Sequence, residues 1–246
     1  MKEKTSRLIK VEKASKIIFI GDTHGDLSAS VKVVNTYLKP GNVLVFLGDY
    51  VDRGQLSKEN IDFLLEKKED FPNQVHLLKG NHEGYRVQDF HPADFWVRLT
   101  ENEREKYGAI VENFPFAFVS KQIIALHGAL PDAKNLKEID NITLGSANWE
   151  QICWGDFREV PGRRIMTSFA GYGRPLFGQD WFFEIMKKLN MQVLIRSHQP
   201  NCPEFMFNDR CLTIFTSSAY GRKRTIAIYD LRKKIKTARD LEIVEI

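Results

Sequence analysis

Short apolar runs rich in β-branched residues alternate with polar loops and amphipathic stretches along the first third of the chain. Residues 16–20, Lys-Ile-Ile-Phe-Ile, read as a buried strand. The polar loop Gly21-Asp-Thr-His-Gly-Asp26 follows. Residues 27–38 then place Val31, Val34 and Leu38 on one helical face, with Asp26 or Ser28 available as a cap. The cycle repeats. Residues 43–47 form a second buried strand, Gly48-Asp-Tyr-Val-Asp-Arg-Gly54 a second loop, and residues 57–70 a helix with Ile61, Leu64 and Leu65 apolar. A third strand over 75–78 runs into Gly80-Asn-His-Glu83. Strand, polar loop and helix in repetition predict a mostly parallel sheet. Ligands of such sheets sit at the carboxyl ends of the strands, where each of these loops lies.

The pattern changes further on. Residues 85–112 read as helical, in two pieces. Strands are expected over 116–119 and 122–126, the second running into His127-Gly-Ala129. Residues 131–177 read as one long irregular loop, a length that usually signals function. A helix over 179–190 precedes a strand over 192–196 and then Ser197-His198. The tail predicts short strands at 204–207, 211–216, 225–229, 235–237 and 241–244. Helices flank the first sheet and the tail is strand-rich, so the expected architecture is α/β: a four-layer αββα sandwich of two mixed sheets with helices outside. A single domain over residues 1–246 is expected, with residues 1–16 as a charged lead-in.

Composition narrows the class. The 246 residues are 43% hydrophobic and 28% charged, an ordinary globular balance. A net charge of +4 suits an anionic substrate, but a nucleic-acid partner calls for a stronger, clustered excess. Arg222-Lys-Arg224 and Arg232-Lys-Lys234 read as solvated surface. Cys153, Cys202 and Cys211 form no CxxC pair, and no apolar run reaches the length of a membrane span. Reduced thiols and a charged N-terminus without an apolar core lead to the expectation of a cytoplasmic protein that does not engage membranes.

The chemistry lies in the loops. Four of the six histidines, His24, His82, His127 and His198, follow apolar runs directly. Asp22, Asp49, Asp52 and Asn81 occupy the same kind of position. A spacing of two in Asp22-Thr-His24 can project both side chains to one side. Carboxylate, amide and imidazole donors without thiolate favour Mn, Fe, Co or Zn in a non-structural site. The donors are too many for one ion, and two ions sharing a carboxylate would use them economically. His76 and His91 read as structural.

Taken together, Gly21-Asp-Thr-His-Gly25, Gly48-Asp-Tyr-Val-Asp-Arg-Gly54, Gly80-Asn-His-Glu83, His127-Gly128, Arg196-Ser-His198 and the later Ser217-Ser-Ala-Tyr220 resemble the phosphoprotein phosphatase family of the metallophosphoesterases. The short chain resembles a prokaryotic or archaeal member. The resemblance implies the metallophosphoesterase sandwich, two divalent ions (Mn foremost; Fe, Zn or Co as alternatives) and hydrolysis of phosphoserine or phosphothreonine by a hydroxide that the ions activate. It implies Asp22 and His24 on the first ion, Asp49 as the bridge, and Asn81, His127 and His198 on the second. His82 would be the general acid, oriented by Asp52; Arg53 would clamp the phosphate beside Tyr220. A phosphorylated protein would be the substrate partner. Where the family carries a further arginine this chain has Gly171, and Arg174 is expected to take its part; Arg196 and Arg86 are weaker candidates. The alternatives are diadenosine polyphosphate hydrolysis, a permissive phosphomonoesterase, and a non-catalytic scaffold that binds phosphoproteins.

Overall fold

Alternation within the strands gives both sheets two apolar faces. The computed structural model describes residues 6–165 and 173–246. In chain order the elements are β1 (Leu8–Lys10), β2 (Lys16–Ile20), α1 (Leu27–Tyr37), β3 (Asn42–Phe46), α2 (Ser57–Asp70), β4 (Val75–Leu77), α3 (Asp94–Arg98), α4 (Glu101–Val111), β5 (Ala117–Ser120), β6 (Ile123–Leu126), α5 (Leu136–Asp140), α6 (Ala147–Trp154), β7 (Asp156–Phe157), β8 (Leu176–Phe177), α7 (Gln179–Leu189), β9 (Val193–Arg196), β10 (Phe205–Met206), β11 (Cys211–Thr213), β12 (Thr225–Asp230) and β13 (Glu242–Glu245).

One sheet has the order β13-β12-β2-β3-β4, and the other β1-β5-β6-β9-β11-β10. The pairs β2–β3, β3–β4, β6–β9 and β9–β11 are parallel, whereas β12 and β5 run antiparallel to β2 and β6. Ile17 and Phe19 of β2 point into an inter-sheet core with Val43, Val45, Phe118 and Ile195. Ile18 and Ile20 point the other way, into a layer with Val33 and Val34 of α1 and Ile61 and Leu64 of α2. Beyond the other sheet, Ile124 and Leu194 pack under Trp149, Phe182 and Ile185 of α6 and α7. These layers are the expected αββα sandwich. Each buried aliphatic side chain contributes about 1.5–3 kcal/mol, so the three apolar layers outweigh local propensity in fixing the architecture.

Three expectations change. Leu8–Lys10, within the expected lead-in, pairs in parallel with β5. The stretch 131–177 is not irregular throughout: Asn135 and Ser146 cap α5 and α6, and β7 pairs with β8. Those helices are short, and Ile139 and Ile152 supply too few apolar repeats to stand out from the aromatics around them. The strand expected at 235–237 is absent. Ile235 is buried, but Thr237 and Asp240 close a capping box on a single turn instead. Within 85–112 only α3 and α4 are α-helical.

The carboxyl ends of the two sheets are tied together. Asp22 and Phe215 form an isolated parallel bridge. Gly21 N donates to Thr216 Oγ1 at 2.9 Å and Asp22 N to Ser197 Oγ at 2.9 Å. The loops after β2, β3 and β4 therefore meet those after β6, β9 and β11.

Candidate metal centre

Asp22, His24, Asp49, Asn81, His82, His127 and His198 are all buried in that meeting place. Asp49 is central. Its Oδ2 lies 3.3 Å from His127 Nε2, 3.6 Å from His24 Nε2 and 3.9 Å from His82 Nε2. His127 Nε2 in turn is 3.0 Å from both Asn81 Oδ1 and His198 Nδ1. Donor atoms of Asp49, His127 and His198 lie within 4.8 Å of one another, as do those of His24, Asp49 and His82.

The backbone is strained where these residues sit. His24, Asp49, Asp52, Arg53 and His198 all have positive φ, between 42° and 71°. Such residues cost about 1–3 kcal/mol each and persist only where the surroundings over-determine them. Glu83 supplies much of that constraint. Its buried carboxylate accepts from Asp49 N at 2.8 Å, Tyr50 N at 3.0 Å and Gly80 N at 2.9 Å, locking the loop after β3 to the loop after β4. Gly48 is required here: φ is +109°, and a side chain would run into the backbone of Gly80. In the sequence Glu83 stands out only as the last residue of Gly80-Asn-His-Glu83. We expect Glu83→Gln, which turns an N–H acceptor into a donor, to lower bound metal and turnover by about 10–100-fold, as for lost outer-shell partners of metal ligands. Metal analysis together with phosphate release tests this; unchanged values in both would mean that Asp49 holds its place without Glu83.

His82 is held in one orientation. Its Nδ1 is 2.5 Å from Asp52 Oδ2, while Asp52 Oδ1 accepts from Phe95 N at 2.7 Å. Phe90 packs edge-on against the ring at 4.6 Å. Burial disfavours a proton on His82, but Asp49 and Asp52 outweigh it and raise the affinity for one. Burial instead drives His24 down to about 3, with His82 adding to the effect. Its Nδ1 is bound to Val51 O at 2.7 Å, and Nε2 meets Tyr220 Oη at 2.6 Å. Arg53 is exposed, with its guanidinium 5.2 Å above the Tyr220 ring. Arg174 stands at the other end, 3.4 Å from His198 Nε2 and over Trp154. Gly171 falls outside the described residues.

Two phosphate candidates move elsewhere. Arg196 is fully buried and donates to Gly128 O, Gln199 Oε1 and Gly155 O, holding loops together. Arg86 pairs with Glu105 and Glu112. One neighbour escaped sequence reasoning: Asp156, on β7, has Oδ1 3.5 Å from His198 Nε2 and no hydrogen-bond partner for that oxygen. It lies in the stretch read as irregular, so no periodicity pointed to it.

Do these donors fit metal ions? Asp22 Oδ2 is buried with no hydrogen-bond partner, 3.8 Å from His24 Nε2. A lone carboxylate oxygen is costly in that setting unless a cation faces it. Burial, then Asp49, pushes Asp22 up to about 7. His24 Nε2, which faces that oxygen, is also 3.6 Å from Asp49 Oδ2. His82 shares the group with His24 and Asp49 through its Nε2, while Asp52 engages its Nδ1. The residues fit two cation sites that share Asp49.

A family model for calcineurin-like phosphoesterases matches residues 15–202, which carry all of these donors. The chain belongs to the calcineurin-like phosphoesterase family. Members are phosphoester hydrolases that use divalent metals. The chain is 28% identical over 229 residues to a probable serine/threonine-protein phosphatase of Encephalitozoon cuniculi, covering 87% of this chain and 49% of that protein. It is 28% identical to human serine/threonine-protein phosphatase 5, covering 88% and 46%. It thus spans about half the length of these relatives. Both are eukaryotic and give the prokaryotic expectation no support. A serine/threonine phosphatase structure from Saccharomyces cerevisiae superposes with a TM-score of 0.82 at 20% identity, over 97% of this chain and 83% of that one, and so shares the fold. Among the described residues no helix is long and apolar enough to cross a membrane.

Within this calcineurin-like phosphoesterase, protons and metals compete. Burial works against a proton on His127, but Asp49 and Asp22 outweigh it and push the imidazole up to about 9. A ligating imidazole must be neutral, so a metal held by His127 at neutral pH would expel that proton. We expect Mn²⁺ added to metal-stripped protein to release protons at neutral pH, with affinity weakening as pH falls below about 9. Titration in weakly buffered solution reads this directly. Uptake without proton release would show His127 to be neutral beforehand.

Proposed function

We propose that this metallophosphoesterase is a protein phosphatase that hydrolyses phosphoserine and phosphothreonine. Asp22, His24 and Asp49 would hold one divalent ion, and Asp49, Asn81, His127 and His198 the second, with Mn²⁺ the first candidate. Such a pair, when bound, lowers the pKa of a water molecule and stabilises the attacking and leaving oxygens of an in-line displacement. Every other task falls to the chain itself. Arg53, whose guanidinium offers the planar fork that matches two phosphate oxygens, orients the ester with Tyr220 behind it. Arg174 would add a second positive charge at the His198 end. His82 gives its Nε2 proton to the leaving oxygen, and Asp52 keeps the imidazole upright and favours the protonated form.

The observation that carries this reading is the 2.5 Å contact between His82 and Asp52 at the edge of the cluster. The alkoxide of serine or threonine is a poor leaving group, and a positioned, protonated acid is what its departure needs. The similarity to proteins named serine/threonine phosphatases supports the same substrate class. The experiment is phosphate release by metal-stripped protein, with and without Mn²⁺, on a phosphoserine peptide, a phosphotyrosine peptide and diadenosine tetraphosphate. Mn²⁺-dependent turnover led by the phosphoserine peptide is expected. Turnover led by the dinucleotide would replace the substrate class.

A further inference from the structure

Leu56 breaks a local rule without an evident structural return. It is the N-cap residue of α2, a position that favours Ser, Thr, Asp or Asn, and no side chain caps that helix end. Nor is it recruited by the core, being 45% exposed. Residues that defy local preference without a packing gain are where function is to be sought. Leu56 lies three residues beyond Arg53 and helps line a cavity of about 210 Å³, together with Leu27, Ala219 and His24.

The cavity therefore lies beside the metal centre, with His24 common to both. Its loops are those that carry His24, Arg53 and Tyr220. Its volume is below the roughly 300–1,000 Å³ of small-molecule pockets, so it suits one side chain and not a nucleoside. No lysine or arginine is among the described residues that line it, so a second phosphate would find no counter-charge. The acidic member of the lining, Asp26, is already engaged: it accepts from Ala29 N at 3.1 Å, Ser28 Oγ at 2.8 Å and Ser218 N at 3.0 Å, and lies 3.5 Å from Arg224. A basic side chain would meet a carboxylate that is already satisfied. The rest of the lining sets the apolar Leu27, Leu56 and Ala219 among the uncharged Ser28, Gln55, Ser217 and Ser218, so an uncharged side chain is what the cavity favours.

We propose that Leu56, with Leu27 and Ala219, forms a subsite for an aliphatic side chain next to the phosphorylated residue of a protein substrate. This rests on the protein-phosphatase reading and makes it more specific. Phosphoserine peptides carrying Leu, Asp or Lys on either side of the phosphoserine are compared with para-nitrophenyl phosphate, for the wild-type protein and for Leu56→Ser and Ala219→Trp. The Leu peptides are expected to lead by about tenfold in kcat/KM, the scale of one well-placed apolar contact. Both variants are expected to erase that preference and to leave the aryl phosphate unchanged. Leu56→Ser, which restores a good cap, should also melt at a higher temperature, whereas a merely structural leucine would leave the preference intact. Equal use of the three peptides by the wild type overturns the subsite while leaving the phosphatase reading standing. Retention of the preference in both variants overturns it too, as does a matching loss on the aryl phosphate. Turnover of the aryl phosphate but of no peptide overturns both readings.

Discussion

Replacing Asp49 by asparagine is expected to abolish phosphate release and to lower bound metal. The substitution keeps the size of the side chain, and an amide oxygen can still accept from His82 N, which bonds Asp49 Oδ1 at 2.9 Å. What it removes is the negative charge that three imidazoles approach within 3.3–3.9 Å. Burial alone would raise the pKa of Asp49, yet His127 and His82 hold it well below the usual carboxylate range. Both donor groups share this residue, so its loss weakens both sites together. The fall in turnover should exceed about 10³-fold, beyond the roughly 10–100-fold typical of an outer-shell change. Metal content by elemental analysis and turnover on a phosphoserine peptide decide the matter. Full metal occupancy with normal turnover would falsify the shared-ligand role.

The second large effect separates substrates. His82→Ala should slow phosphoserine hydrolysis by about 10²–10⁴-fold, the usual contribution of a positioned general acid. An aryl oxide departs without a proton, so para-nitrophenyl phosphate should suffer far less. The structure makes the comparison clean in one respect: the backbone of His82 does separate work, since its N–H bonds Asp49 and its carbonyl accepts from Trp96 Nε1 at 2.8 Å. Those bonds survive the loss of the imidazole. Equal losses on the two substrates would assign His82 to metal binding or loop structure instead of proton transfer.

Much of this architecture was legible beforehand because it depends on short-range pattern. Buried parallel strands need near-continuous apolar runs, and residues 16–20, 43–47 and 193–196 have them, so β2, β3 and β9 lie close to where the pattern put them. Asp26 caps α1 as expected, through Ala29 N. The loops at the ends of these strands, with their aspartates and histidines, were visible for the same reason: polar, glycine-flanked breaks stand out against apolar runs. The family followed from the combination and spacing of those loops.

What the pattern could not carry depends on chain segments far apart in sequence. Glu83 reaches back 34 residues to Asp49 N, Tyr220 meets His24 across 196 residues, and Asp156 faces His198 from a stretch with no clear periodicity. Arg196 stood in a promising motif, yet its guanidinium turns inward to backbone carbonyls because burial on β9 leaves it no route to the site. Leu56 gains significance only from the fold, which leaves it exposed in a cavity that His24 also lines. The sequence by itself determined which residues could form strands, helices and polar loops, since periodicity and capping act within a few residues. The tertiary structure alone decided which side chains share the centre and which are consumed in bracing it, because hydrogen bonding and burial there are settled by partners brought together across two sheets.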